Sequence, residues 1–346
     1  QNTIDKKVVN WFKNNNFILL ELPRLKKIEL APKLFIKTGS TPQDDSWLLI
    51  DDGNTKFLNL NDCETKTKEF DFIMKNFHRQ IGKVDILASQ FAFASYLGST
   101  KKIRLKSAKT VIEKVNYQIQ VLKPKYFIPF ASFSYFSHKE NFYQNIDNND
   151  IFDLVENINE HCTAKPIVMY PGDIWKVGNV FSNKINLKKY ANDYKKCLDG
   201  PLLDKTKIFN LDALCLKANL YRNKLLKNNI LLYFFRPLLV KIWVSDLNIS
   251  VSFDLYQGLH IIKSKQQECD VSISSDLIAG WLDNDYGGAS AYISGRIYYD
   301  NKINYRKLYK YFYISNANNR GQSWPWFVIK NRVRARILKI FYEDKF

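Results

Sequence analysis

The chain holds four histidines, His78, His138, His161 and His260. A self-contained zinc hydrolase brings several neutral imidazoles to one ion, from runs such as HxH or HxxxH. None of the four stands in such a run with another. His78, beside Phe77, reads as a helix-end residue. His161 precedes Cys162 in a helix-to-strand loop, and His260 falls in an alternating strand pattern. His138 differs. It sits in a polar loop after a strand end, with Ser132, Ser134, Ser137, Glu140 and Asn141 around it in sequence, and such loops gather binding groups. Asp62 is the second candidate. It follows the apolar run from Phe57 to Leu60, where a carboxylate can ligate a metal or orient water, although spacing alone favours a cap on the next helix. The scatter of the histidines leads to the expectation that this chain alone holds no stoichiometric transition metal at a multi-histidine site.

The five cysteines, Cys63, Cys162, Cys197, Cys215 and Cys269, are odd in number, far apart and never in a CxxC run. That excludes a disulfide framework or a zinc ribbon and fits reduced thiols in a cytoplasm. No secretory signal opens the chain, and apolar runs such as Ile230 to Phe235 are too short to span a bilayer. The first residue is Gln1 and not Met, which raises the expectation of a preceding segment. The formal charge of +18 favours anionic partners. Its denser stretches are Lys101 to Lys109 and Lys330 to Lys339. Tyr305, Tyr309, Tyr311, Phe312 and Tyr313 stand among Arg306, Lys307 and Lys310. They read as a strand or helix face with snorkelling lysines, ahead of a nucleic-acid stacking surface, so nucleic acid is not the expected partner.

These residues need elements to carry them. Phe17–Leu22, Leu34–Lys37, Trp47–Ile50 and Phe57–Leu60 read as short strands. The last two are joined by the turn signal Asp51-Asp52-Gly53-Asn54. Phe70, Ile73, Met74 and Phe77 recur at helical spacing. Val84–Ala88 is a buried-strand candidate. The stripe Ala108, Val111, Ile112, Val115, Ile119 and Leu122 predicts a helix stopped by Pro124. Tyr126–Ile128 and Pro166–Tyr170 read as strands around a helix at Ile151–Ile158. The order is an α/β layered pattern. Residues 181–230 form a helical, polar connector. From Leu231 alternation returns at Val240–Val244, Ile249–Phe253 and Val271–Ile273. Ala291, Ile293 and Tyr298-Tyr299 continue a strand-rich domain, and Gly287-Gly288 marks a tight turn. Beyond Trp326, Ile329, Val333, Ile337, Ile340 and Phe341 share one face of a basic amphipathic helix. Docking of that helix on its own chain, with Trp324 or Trp326 as anchor, is favoured over a membrane surface.

Several blocks resemble, in order, metallo-β-lactamase-fold proteins related to CMP-N-acetylneuraminate hydroxylase. They are Asp44-Asp45-Ser46-Trp47, Leu58 to Cys63, Val84-Asp85-Ile86-Leu87 with Gln90-Phe91-Ala92, and Pro124 to Ser132. His138-Lys139-Glu140-Asn141 and Tyr170-Pro171-Gly172-Asp173 follow. Ser252-Phe253-Asp254, Ser274-Ser275-Asp276 and Asn319-Arg320-Gly321 are similar to the carboxy-terminal, sterol-carrier-like region of the same proteins.

The resemblance implies an α/β, partial metallo-β-lactamase-like αββα sandwich over 1–180 and a connector over 181–230. A smaller α+β domain over 231–321 and the basic helix over 322–346 follow. Asp62 matches the metal-bridging aspartate, and His138 falls close to the last ligand histidine. Asp45, Ser46, Asn61, Gln90, Ser132, Glu140, Asn141 and Asp173 are the implied substrate-binding residues. In an intact relative the ion is zinc or iron. The family's HxHxDH cluster lies before the region that Gln1 matches, and no CxH or CxxH pair encodes a Rieske centre. The implied function is a metal-dependent hydrolase or oxygenase-like protein acting on an anionic sugar or nucleotide-sugar derivative, in surface polysaccharide biosynthesis. The other readings are a metal-free binding module on the same fold, and a basic protein associated with a membrane surface or with nucleic acid. Asp62 and His138 are expected to line one cleft at neighbouring strand ends, bordered by Asp173.

Overall fold

The computed structural model describes residues 6–23, 25–40, 46–61, 63, 81–93, 95, 98–205, 207–234, 239–300 and 302–333. The expected Phe70–Phe77 helix, His78 and the end of the chain from 334 lie outside them. The chain divides into two compact units. Unit 1 comprises residues 1–97, 101–137 and 142–202, and unit 2 comprises 98–100, 138–141 and 203–346.

Unit 1 is a mixed α/β layer. After helix α1 (Lys6–Asn14) come β1 (Ile28–Ala31), β2 (Leu34–Ser40), β3 (Ser46–Asp51), β4 (Lys56–Asn61) and β5 (Ile86–Ser89). Helix α2 (Lys101–Leu122), β6 (Tyr126–Pro129), helix α3 (Ile151–His161), β7 (Lys165–Pro166) and helix α4 (Asn183–Asp199) complete it. The seven strands lie in sequence order. β1 to β4 are antiparallel neighbours, and β4 to β7 run parallel. The β3–β4 turn is closed by Asp51 and Asp52, whose carboxylates accept the Gly53, Asn54 and Thr55 amides at 2.7–2.9 Å. Parallel neighbours need long crossovers, and α2 and α3 supply two of them.

The alternation within β4, β5 and β6 sends Leu58, Leu60, Leu87 and Phe127 to one face. There they pack with Val115, Ile119 and Leu122 of α2 and with Leu154 and Ile158 of α3. Asp150 caps α3 by accepting the Asp153 amide. A buried ion pair, Arg104 to Asp147 at 2.7 Å, anchors the start of α2. One residue of the basic stretch at 101–109 is therefore inside. Phe17–Leu22 forms no strand, since no partner strand meets it among the described residues. Beyond Pro166 the Ile167 amide makes a last bond to the Phe127 carbonyl of β6 at 2.8 Å, and the buried Val168 turns its amide to the Asn183 side chain instead.

In unit 2, helix α5 (Leu211–Asn228) precedes β8 (Val240–Val244), β9 (Ile249–Asp254), β10 (Gly258–Ile261) and β11 (Val271–Ile273), in the sheet order β10-β9-β8-β11. Helices α6 (Ser275–Asp283), α7 (Gly287–Ile293) and α8 (Lys302–Asn319) follow. Phe253, Trp281, Tyr311 and Phe312 meet edge to face in its core at centroid distances of 5.0–5.4 Å. Of the segment read as strand-rich beyond Ile273, Ala291 and Ile293 are helical, while Tyr298 pairs with Ser272 in an antiparallel bridge. The apolar doublets of Ala291–Ile293 and the tyrosines from 305 belong to α7 and α8, where packing decides over β propensity. Residues 326–333 are helical. Their inward anchor is Phe327, set edge to face on Tyr313 at 5.0 Å. Trp326, Ile329 and Val333 are exposed.

Gly287 and Gly288 open α7 and are not a bare turn. A Cβ at Gly287 would lie 2.3 Å from the Gly280 carbonyl oxygen, and one at Gly288 would lie 2.3 Å from the Phe312 ring. The α6–α7 approach is closed by backbone, which cannot swing away. Gly287→Ala is therefore expected to lower unfolding stability by about 1–3 kcal/mol, read by thermal or urea unfolding. Gly280→Ala, inside α6 and with no atom within 4 Å of its new Cβ, is the contrasting variant, expected to keep stability or raise it by up to about 1 kcal/mol.

Candidate functional site

In unit 1 the carboxyl ends of three parallel strands coincide, because Asn59 and Asn61 pair with Ala88 and Ser89, and Ser89 with Pro129. Open α/β sheets bind ligands at such an edge. The loops there are tied by hydrogen bonds. The Gln90 amide donates to the Asn61 carbonyl at 3.0 Å. Ser132 Oγ accepts the Phe91 and Ala92 amides at 2.9 and 3.0 Å. Asn61 and Ala131 take left-handed backbone, at φ 48° and 52°, a costly conformation for alanine that surrounding structure must hold. Ser89, the last residue of β5, is buried and its hydroxyl has no hydrogen-bond partner. Ser46 starts β3 at this same edge, two residues before the Leu48–Asn59 pair.

The structure thus brings Ser46, Asn61, Gln90 and Ser132 to one edge of the sheet. Ser89 and Ala131, which the sequence pattern did not single out, join them. A serine ending an apolar strand was the available signal. Asp45 and Asp62 lie outside the described residues, so the expected pairing of Asp62 with His138 does too.

Asp173, also in unit 1, closes the Tyr170–Asp173 turn, with Gly172 at φ 91°. Its carboxylate accepts the Tyr170 amide at 2.9 Å and the Asn186 side chain. The bond from the Tyr170 amide holds it below the usual carboxylate range, helped by Asn186 and Lys189 against the effect of burial. Tyr170 in turn donates to Asp193, which raises the phenol. Tyr190 stacks on Phe133 at 4.1 Å.

His138, Glu140 and Asn141 belong to unit 2. The Asn141 side chain accepts the His138 amide at 2.9 Å and donates to the Ser294 carbonyl at 2.7 Å. Glu140 meets Arg296 Nε at 2.7 Å, and Arg296 Nη2 forks onto both oxygens of Asp276 at 2.9 and 2.8 Å. Ser274 Oγ links Arg296 Nη2 and Glu140 at 3.0 and 3.2 Å. Burial alone would lower the Arg296 pKa and raise that of Asp276. The bonds between them outweigh it, so Arg296 is shifted up and Asp276 down. Burial and then the Arg296 charge lower His138, against the carboxylates of Glu140, Asp276 and Asp204.

The imidazole is therefore neutral at pH 7. Its Nδ1 accepts the Glu140 amide at 3.2 Å, so the proton sits on Nε2, which is buried without a partner. Such a nitrogen is a donor and offers a metal no lone pair. Among the described residues no three His, Cys, Asp or Glu side chains converge to hold a metal. The described residues do not fit a zinc or iron site.

Unit 2 also carries an open apolar groove of about 440 Å³ between the Ile208-Phe209 loop and Leu216 and Leu220 of α5, with Lys207 and Lys217 at its rim. Sequence reading missed it, because Leu216 and Leu220 at i, i+4 look like core. Among the described residues no helix is long and apolar enough to cross a membrane.

No family model matches the chain, and no curated protein matches it. Three chains of solved structures do. One is CmlA, a diiron β-hydroxylase from Streptomyces venezuelae, with a TM-score of 0.31 and 12% identity over 44% of this chain and 33% of that one. Another is a mutant of the CmlA β-hydroxylase, with a TM-score of 0.30 and 11% identity over 44% of this chain and 32% of that one. The chain thus matches about a third of the length of those proteins. Similarity at this level is a distant likeness and carries neither substrate nor reaction.

Two outcomes follow from the His138 geometry. Its ring should titrate below 6.5, read by NMR of the imidazole protons against a His138→Gln variant that removes the signal. Because the folded pKa is depressed, the unfolded chain binds the extra proton first. Stability should fall as pH drops below about 6.5 and level off once the folded ring protonates, and the variant should lose that part of the slope. Metal analysis of protein grown with added zinc and iron should find no stoichiometric ion that His138→Gln releases.

Proposed function

We propose that the chain is a metallo-β-lactamase-type protein related to the CMP-N-acetylneuraminate hydroxylases. On this reading it acts as a binding module for an anionic sugar or nucleotide-sugar derivative at the carboxyl edge of the seven-stranded sheet. The observation that carries the reading is the tie made by Ser132, which holds the loops after β5 and β6 together beside the buried, unpartnered Ser89 hydroxyl. An unmatched buried hydroxyl costs roughly 1–3 kcal/mol, and a ligand oxygen or hydroxyl reaching it recovers part of that. Gln90, half-buried, and Asn61 flank it with side-chain amides suited to sugar hydroxyls and carboxylates. The charge of +18 supports an anionic ligand, and the ordered sequence blocks support the sugar class. The role in surface-polysaccharide synthesis implied by the resemblance, and the cytoplasmic compartment that the scattered cysteines suggest, go with this proposal.

A second reading is a metal-dependent hydrolase or oxygenase. What favours it is the resemblance, which matches Asp62, the residue after Asn61 in sequence, to a metal-bridging aspartate.

Titration with CMP-N-acetylneuraminate and with a uridine-diphosphate sugar, followed by amide NMR, should perturb residues 59–61, 89–92 and 130–132 saturably. Gln90→Ala should weaken binding about tenfold, one contact's worth at 1.4 kcal/mol, with unfolding unchanged. Absence of saturable shifts with both ligands, or shifts confined to unit 2, would overturn the proposal. Binding that appears only with added zinc or iron would favour the second reading.

A further inference from the structure

The N-terminal segment carries apolar surface that unit 1 leaves uncovered. Helix α1 turns Val9 inward at 4% exposure, while Val8 and Trp11 face water at 45% and 56%. The helix ends on Asn16 in the left-handed conformation, φ 60°, and the Phe17 amide donates back to the Phe12 carbonyl at 3.0 Å. This Schellman-type ending folds Phe17 over Trp11, stacked at 5.9 Å with an interplanar angle of 23°. Phe12 stands edge-on to both rings, at 5.2 and 5.4 Å. Beyond them Ile18 and Leu20 are exposed, Ile18 completely. The patch is thus a built cluster held by backbone hydrogen bonds. Scattered apolar residues on a surface need no explanation, but a contiguous aromatic and aliphatic patch does.

The charge around the patch selects its occupant. From Lys6 to Leu20 the sequence has three lysines and no acid, and up to Lys27 it adds Arg24, Lys26 and Lys27 against the single acid Glu21. Trp and Phe rings settle at the level of lipid headgroups, and lysines beside them are drawn to anionic lipid. We propose that this patch, with Trp11, Phe17, Ile18 and Leu20 inserted and Lys13 on the headgroups, seats the protein on an anionic membrane surface. The chain lies on the surface and does not cross it.

The test mixes the 346-residue chain with sedimentable vesicles of phosphatidylcholine, with and without phosphatidylserine. The expected result is sedimentation with the phosphatidylserine vesicles, little with phosphatidylcholine alone, and a decline as salt rises. The triple variant Trp11→Ser, Phe17→Ser, Ile18→Ser should lose at least about tenfold in partitioning. Lys13→Glu should weaken binding to the anionic vesicles alone. Should the triple variant fail to fold, Ile18→Ser, at a position free of packing, carries the same comparison. Failure of the wild-type chain to sediment with anionic vesicles overturns the proposal. So does binding that the serine substitutions or salt leave unchanged. A sedimentation-velocity shift from dimer to monomer in the triple variant, without lipid binding, also overturns it and assigns the patch to a second copy of the chain.

Discussion

Unit 1 depends on β5. Its four residues are all buried, and it pairs in parallel with β4 on one side and β6 on the other. A strand in that position cannot satisfy its backbone with water, so both ladders are obligatory. Parallel pairing also forces the chain to travel the length of the sheet between strands, which is why α2 and α3 exist and why Leu87 and Phe127 find cover. The same pairing puts three chain exits side by side. Their amides need acceptors as soon as the ladder ends. The Asn61 carbonyl and Ser132 Oγ provide them for Gln90, Phe91 and Ala92. The polar edge is a consequence of the topology.

Much of this layer was legible in the sequence. The turn at Asp51–Asn54, the apolar stripe of α2 and the short apolar runs of β4 to β6 each announce an element by period or breaker, and each lies where its pattern put it. The errors have one physical source. Phe17–Leu22 has strand-forming residues and no strand to pair with. Ala291–Ile293 has the composition of a strand, yet Gly287 and Gly288 let α7 pack against α6 and Phe312, and that close approach decides for helix, while Tyr298 beyond it does pair, in an antiparallel bridge with Ser272. Local propensity is weak beside the packing that long-range neighbours make available. The site was less legible for the same reason. Ser132 and Gln90 stand near strand ends in sequence, but Ser89 reads as part of an apolar strand. Only the register shows that its hydroxyl ends up buried and unmatched.

Unit 2 rests on a different device. Arg296 is a partly buried cation, and a guanidinium drawn out of water is tolerable only when its fork is filled. Glu140, Asp276 and Ser274 fill it, which ties a four-residue piece of chain, 138–141, to a unit made mostly of residues from 203 onward. No sequence pattern links residues 156 positions apart. In the polar loop after β6, Ser132 belongs to unit 1, while His138, Glu140 and Asn141 belong to unit 2.

That network also fixes the chemistry of His138. Ligation through Nε2 needs the proton on Nδ1, and so an acceptor facing Nδ1. What faces it at hydrogen-bond distance is a donor, the Glu140 amide. Among the described residues the carboxylate oxygen that pairs with Nδ1 is Glu140 Oε2, at 3.8 Å, and it already receives Arg296 and Ser274. Turning the imidazole over would place a carbon against the amide and lose that bond. Protonating the ring would add a cation beside Arg296 in a buried place, which is the same balance that depresses its pKa. The neutral tautomer with Nε2–H is thus the form the surroundings select, and a partner that meets this nitrogen does so with a lone pair of its own: a carbonyl, a carboxylate or a phosphate oxygen.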